Sequence, residues 1–364
     1  MKSLRNRSTA RTYAIATLLL VCALPVGRAD AQTSREYRLE PGGDRHTLAL
    51  REVQRPQPRA GEVLVRVRAV SLNHRDLYVL ERSGTLGQVP ISDGAGDVVA
   101  VGPGVSEFAV GDRVAGTFFA DWTGGGRTRE AMATARGGGV DGMLAEFVVS
   151  RENGLVTVPE YLSYEEAATL PCAAVTAWRA LFTDGELEAG ETVLLEGTGG
   201  VSIFGLQLAA AAGARPIITS SSDAKLEKAR ALGAVGTVNY RTNPDWQIEV
   251  RALTDDQGVD HVLDVVGGET LNRAIEALAY DGHVAVIGGL SGQSTALPVR
   301  SLPDGSSVTA IFVGSRDDFE AMNAFMTEHE IHPVIDRVFA FEDAAAAYDY
   351  MDSGAHMGKI VIAL

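Results

Sequence analysis

From Tyr37 to about Pro159 apolar and polar residues alternate in short runs broken by glycine and proline, the two-residue period of half-buried strands. Glu62 to Val70 and Gly94 to Gly102 carry this pattern most clearly. The pattern predicts a β-rich, partly open barrel. Between Asp121 and Asp141 the period gives way to glycine and charge, with Gly124-Gly125-Gly126 and Gly137-Gly138-Gly139. This stretch reads as a long loop, and a loop of that length in a compact domain is usually functional or mobile, so a lid over a substrate is one reading of it.

After Tyr164 the texture changes. A helix is predicted from Tyr164 to about Leu181, then the strand Thr192–Glu196, a glycine turn and the helix Ile203–Ala212. The strand Pro216–Ser220, the helix Asp223–Leu232 and the strand Thr237–Tyr240 follow. Further apolar strands are expected at His261–Val266, His283–Ile287 and Val308–Val313. Strands alternating with helices imply βαβ units and a doubly wound parallel sheet, hence an α/β protein. The tail from Asp317 carries two helices, a strand at Ile335–Phe339 and a closing strand at Lys359–Ile362 patterned like the first half. The C-terminus is therefore expected to return to the barrel. This divides the chain into residues 1–31, 35–162, 163–316 and 317–364, with the third part inserted between two pieces of one domain.

The sharpest motif is Gly197-Thr198-Gly199-Gly200-Val201-Ser202, preceded by Glu196, directly after an apolar strand and before an apolar helix. In such a turn Gly197 permits a tight bend, Gly199 admits a pyrophosphate to the backbone, and the helix N-terminus offers unpaired amides to the anion. Ser202 stands where a third glycine is usual. At the end of the next strand, where an acidic residue holds the adenine ribose of NAD, this sequence has Thr219-Ser220-Ser221-Ser222. Hydroxyls can donate to a 2′-phosphate that a carboxylate would repel, and Lys225 and Arg241 add charge, so NADP(H) is the expected cofactor. The competing reading is that the serines only cap the following helix, with Ser222 as N-cap.

Charge narrows the partners. A formal net charge of -15 over 364 residues argues against extended contact with a phosphate backbone, which needs clustered Lys and Arg. The first residues are a different object: Lys2, Arg5, Arg7 and Arg11 precede an apolar run from Ala14 to Val26, then Ala29-Asp30-Ala31. That order is a secretory signal with cleavage expected before Gln32, giving a periplasmic or secreted protein, or a cytoplasmic one if the signal does not function. The apolar run is shorter than the roughly 20 residues a membrane span needs, and an N-terminal helix packed on the body is the alternative. Cys22 lacks the small residue before it that lipoprotein processing needs, and Arg5-Asn6-Arg7 is not a twin-arginine pair. With Cys22 removed only Cys172 remains, so no intrachain disulfide is expected.

Taken in order, Glu62 to Val70, Asn73-His74-Arg75-Asp76, Asp93 to Val99, Val110 to Val114, Ala167 to Cys172, Gly197 to Ser202 and Gly358-Lys359-Ile360-Val361 resemble the medium-chain dehydrogenase/reductase superfamily. The likeness is to its zinc-independent, alcohol dehydrogenase-like and quinone oxidoreductase-like branch, and it covers essentially Tyr37 to Leu364. It implies a GroES-like barrel domain with a Rossmann dinucleotide-binding domain, hydride transfer to or from a small carbonyl or quinone substrate, and a homodimer or homotetramer. Zinc members use cysteine, histidine and a second cysteine. Here Asn73 stands at the first cysteine, Ser92-Asp93 at the histidine and its glutamate, and only Cys172 matches. No metal site is therefore expected.

Without a Lewis acid, developing negative charge must be met by hydrogen bonds, which points to quinones, enones or activated aldehydes. The resemblance places the Asn73 amide at a substrate carbonyl; Asp93 is either a polar site wall or a buried structural carboxylate. It also assigns His74 to the pyrophosphate, Thr176 to the nicotinamide side, Tyr240 to the adenosine phosphate, Gly288, Phe312, Val313 and Gly314 to the nicotinamide, and Lys359 to a phosphate. Two rivals remain at this level: a zinc alcohol dehydrogenase with atypical ligands, and a non-catalytic NADPH-binding sensor or structural protein.

Overall fold

The computed structural model describes residues 33–291, 297 and 299–364. The proposed signal segment, residues 1–31, and its cleavage point before Gln32 lie outside the described residues. Two strands, β1 (Thr33–Glu40) and β2 (Thr47–Gln54), pair antiparallel as a hairpin. The alternation read in the first half becomes β3 (Glu62–Leu72), β4 (Asp93–Val101), β5 (Arg113–Gly116), β6 (Phe147–Arg151) and β7 (Leu155–Thr157). β3 is the hub, paired antiparallel with both β4 and β6.

The second half supplies β8 (Thr192–Leu195), β9 (Arg215–Ser220), β10 (Gly236–Asn239), β11 (Val259–Asp264), β12 (Leu278–Val286) and β13 (Ser307–Ala310). They form one six-stranded parallel sheet in the order β10-β9-β8-β11-β12-β13. The chain winds outward from β8 in one direction, then restarts beside it at β11. Ligands of such sheets sit at this reversal, beyond the carboxyl ends of the strands. Every residue of β8 is buried, because helices cover both faces of a parallel sheet. The tail forms β14 (Ile335–Ala340) and β15 (Lys359–Ala363); β15 pairs antiparallel with β3, so the C-terminus closes the first sheet.

Three sequence expectations change. The helix read from Tyr164 to Leu181 is broken into Tyr164–Ala167 and Val175–Trp178, with a wider π-type turn at Leu170–Ala174 between them and a second at Arg179–Thr183 after them. Pro171 has no amide hydrogen to give and its ring crowds the preceding turn, so the helix opens there. Helices Trp246–Ala252 and Glu269–Ala277 were not marked in the sequence, being short and interrupted by polar residues.

The glycine-rich stretch between Asp121 and Asp141 is not a lid. Arg136 is buried and donates to the carbonyls of Thr117 and Gly154 and to Ser150 Oγ, stapling the stretch to the barrel. A short helix, Arg129–Met132, lies within it. No residue of the stretch lines the large cavity described below. Among the described residues no helix is long and apolar enough to cross a membrane.

Candidate active site

A cavity of about 1010 Å³ opens at the reversal between β8 and β11. Its floor is the glycine turn. Gly197 has φ +72, a left-handed conformation that favours glycine, and its amide donates to Thr219 Oγ1 at 3.2 Å. Gly199 is the N-cap of the helix Gly200–Ala211, and a Cβ on it would meet nothing within 4 Å. The helix starts at Gly200 rather than Ile203, which places the amides of Gly200, Val201 and Ser202 in its first turn, where they have no intrahelical partner. Thr198 completes the turn, and its carbonyl accepts from Gly358 N at 3.0 Å.

Ser202 does not sit idle in the third glycine's place. Its Oγ donates to Glu196 O at 2.7 Å, bracing the turn from behind. Close approach of helix to sheet falls instead to Gly205, where a Cβ would come within 2.7 Å of Leu195 and 3.0 Å of Leu263. Glu196 and Asp264 end the neighbouring strands beneath the turn and are both buried. Burial, with the Asp264 carboxylate beside it, pushes Glu196 well above the usual carboxyl range. The shift disfavours a negative charge at Glu196 beneath the turn, a charge that would repel an anion.

Ser220 closes β9, Ser221 follows it, and both line the cavity with Lys225 and Tyr240. Ser222 is the N-cap of the helix Asp223–Ala231, so the capping reading holds for that residue. Ser220 is 3% exposed, and its Oγ accepts from Ser222 N at 3.3 Å. Lys225 Nζ donates to His356 O at 2.8 Å and Gly354 O at 3.4 Å, tying this corner to the loop before β15. Arg241 is exposed and does not line the cavity. His356, which sequence reasoning passed over, does line it; burial and the nearby Lys225 lower its pKa to about 4.

The cavity is also lined by Asn73, His74, Cys172, Thr176, Gly288, Phe312, Val313 and Lys359. Thr176 Oγ1 donates to Cys172 O at 2.6 Å. Val313, a β-branched residue, is held at φ +56, where strain costs on the order of 1–3 kcal/mol. Gly288 is required by close packing, because a Cβ there would lie 2.2 Å from Val265 O.

Three assignments are corrected. Gly314 is not on the cavity wall; it lies behind, where a Cβ would meet Val175 at 2.7 Å and Asp318 at 2.9 Å. Asp93 is not on the wall either. It is fully buried, accepting from Ser92 Oγ at 2.6 Å and Cys172 N at 3.1 Å, as a structural carboxylate does. Lys359 commits its ammonium to protein acceptors instead of leaving it free for a phosphate: its Nζ donates to Leu72 O at 2.7 Å and Asn73 Oδ1 at 2.5 Å.

Asn73, Asp93, Cys172 and Lys359 thus form one buried polar cluster. Burial pushes Lys359 below the lysine range, opposed by the charge of Asp93; burial pushes Asp93 up, opposed by Lys359. The Cys172 thiol is also driven upward by burial and by Asp93. Because a lysine only donates, its contact fixes which end of the Asn73 amide is oxygen. Nδ2 is then a buried donor beside Asp93, without a well-formed hydrogen bond. It leans on Asp93 enough to hold that carboxyl down somewhat, yet an amide carries two hydrogens. Among the described residues no group of three or more His, Cys, Asp or Glu side chains could hold a metal ion.

The arrangement has relatives. Residues 59–160 match the alcohol dehydrogenase GroES-like domain and residues 200–328 the zinc-binding dehydrogenase domain. The chain is 44% identical over 313 residues to a zinc-type alcohol dehydrogenase-like protein, C1773.06c, of Schizosaccharomyces pombe, covering 83% of this chain and 90% of that one. The chain belongs to the medium-chain dehydrogenase/reductase superfamily. It is also 29% identical over 323 residues to a quinone oxidoreductase of Rattus norvegicus, covering 85% of this chain and 91% of the other.

Among solved structures of the superfamily, one from Sinorhizobium meliloti 1021 assigned as an alcohol dehydrogenase is 40% identical, with a TM-score of 0.85 over 91% of this chain and 99% of that one. A quinone oxidoreductase from Pseudomonas syringae is 27% identical, with a TM-score of 0.77 over 91% of this chain and 100% of that one. The protein is therefore an oxidoreductase with the superfamily's GroES-like and Rossmann domains, of a family that binds a nicotinamide cofactor and acts on small molecules.

Proposed function

We propose that this oxidoreductase transfers hydride between NADP(H) and a quinone, enone, aldehyde or alcohol-type substrate without a catalytic zinc. The observation that carries the reading is the Asn73 amide on the cavity wall: Oδ1 accepts from Lys359, so Nδ2 is the donor end, and beside Asp93 it keeps a second hydrogen to give. When bound, the cofactor supplies the hydride. The residues present suit it: a glycine cradle open at Gly199, the helix N-terminus at Gly200 and, beneath them, a Glu196 whose charged form burial disfavours. Asn73 Nδ2 donates to the substrate oxygen as negative charge gathers there, the work a preformed donor does best away from water. Solvent protonates the product.

A zinc ion does not suit this donor set. Asn73 offers a neutral amide oxygen already given to an ammonium, which leaves Cys172 as the one soft ligand where zinc sites use three or four protein ligands. The Lys359 charge would repel a dication. Purified protein is therefore expected to contain no stoichiometric zinc and to keep its activity in chelator, with Cys172→Ser altering turnover only modestly. About one zinc per chain, whose removal abolishes turnover, would contradict this.

The choice of NADP(H) rests on Ser220 and Ser221 at the end of β9, with Lys225 beside them; the acidic residues that line the cavity, Glu196 and Asp352, belong to other segments. Ser220→Asp is expected to worsen the NADPH constant by about one to two orders of magnitude, from a lost charge-assisted bond and a new repulsion of roughly 2 to 3 kcal/mol. The same change favours NADH, whose ribose hydroxyls can donate to a carboxylate. Lys225→Ala has the smaller effect, since its amine is already shared with two carbonyls. The ratio of kcat/KM for the two cofactors checks this; an unchanged ratio in Ser220→Asp removes the serine from the phosphate pocket.

A further inference from the structure

We propose that Lys359 is a positioning residue for the hydride-transfer step: it aims the Asn73 amide at the substrate rather than holding a cofactor phosphate. The inference rests on the reading of Asn73 as the donor to the substrate oxygen. Gly358 has φ +74, and a Cβ there would stand 2.3 Å from Val334 O. Its amide bridges to Thr198 O, so the backbone entering β15 is pinned to the glycine turn. From that fixed point the Lys359 stem runs past Gly200, where a Cβ would press within 2.8 Å of Lys359 Cδ. Lys359 is 2% exposed, so the ammonium meets protein acceptors rather than bulk water.

Two such acceptors are in hand, Leu72 O and Asn73 Oδ1, at 2.7 and 2.5 Å. Leu72 is the last residue of β3, and β15 pairs with β3 through Ile360 opposite Leu72. The lysine is thus held on the strand neighbouring the one that delivers Asn73. Without it the amide loses the charged partner of its oxygen end and is oriented only by the weaker contact of Nδ2 with Asp93, so that Oδ1 can turn towards a substrate oxygen, a repulsive contact instead of a donor. A charge-assisted bond of this kind is the stronger sort, and sets the orientation before substrate arrives. Asp93 supplies the counter-charge that keeps the ammonium affordable in a buried place.

The test is a cycle of Asn73→Ala, Lys359→Met and the double variant, with NADPH and benzoquinone as the probes. Direct titration gives the NADPH Kd, and initial rates give kcat and the benzoquinone KM. Lys359→Met is expected to lower kcat by about tenfold to a hundredfold while the NADPH Kd stays within about twofold, and the double variant to be no slower than Asn73→Ala alone. A Lys359→Met enzyme with normal kcat, losses that multiply in the double variant, or an NADPH Kd weakened tenfold at unchanged kcat would each overturn the inference while leaving Asn73 in place. An Asn73→Ala enzyme of normal kcat would instead overturn the reading on which it rests. Should Lys359→Met fail to fold, Lys359→Met with Asp93→Asn removes both buried charges together; the same loss of kcat at preserved Kd is expected, and a wild-type kcat would overturn the proposal.

Discussion

Gly199→Val folds and does not take up NADPH. The backbone at this residue is extended, with φ -78 and ψ -174, a conformation any residue adopts, and a Cβ meets no protein atom within 4 Å. The cost to stability is therefore small, about 1 kcal/mol for an apolar residue at a helix N-cap. The new methyls project into the space that a pyrophosphate would enter. Loss of that contact with the helix amides is expected to weaken NADPH by about a hundredfold or more, roughly 2.8 kcal/mol at 1.4 kcal/mol per decade. Thermal unfolding and cofactor titration on the same sample check the two halves. Normal stability with normal affinity would place the cofactor elsewhere.

Asn73→Ala is expected to do the opposite, binding the cofactor and failing at the chemical step. Removing a preorganised donor to a developing oxyanion costs about a hundredfold to a thousandfold in kcat, or about 2.7 to 4 kcal/mol. The NADPH Kd should move by no more than about twofold, since the nucleotide cradle lies on other elements. Quinones need less electrophilic help than aldehydes, so the loss should be larger with an aldehyde acceptor. Equal losses in kcat and in cofactor affinity would mean that the substitution disturbs the cavity as a whole.

What the sequence made legible was what is local. The glycine turn is a run of neighbours, Gly197 to Ser202, between a strand and a helix, and its phosphate-facing geometry follows from that succession. The order of strands and helices led to the parallel sheet for the same reason. Lys359 and Asn73 are 286 residues apart, and nothing in either neighbourhood says that the ammonium turns towards the barrel rather than the nucleotide. Asp93 was ambiguous for a related reason, because burial is a property of what packs over a residue.

The stretch from Asp121 to Asp141 misled in another way. Its composition is that of a mobile loop, yet one buried arginine, Arg136, collects three partners on the barrel and staples it down. Composition reports how easily a chain bends, and a single well-satisfied side chain can decide whether it moves. Pro171 was visible in the sequence, but the apolar run around it concealed that the helix would open there instead of continuing.

The central claim, metal-free hydride transfer from NADPH, is tested most directly by one measurement: the rate of NADPH oxidation by chelator-treated, zinc-free protein with a panel of quinones, enones and aldehydes, compared with NADH. The account predicts turnover of at least one conjugated acceptor, with kcat/KM higher for NADPH than for NADH and no gain on adding zinc. Turnover that is restored only by stoichiometric zinc, or that prefers NADH, would contradict it.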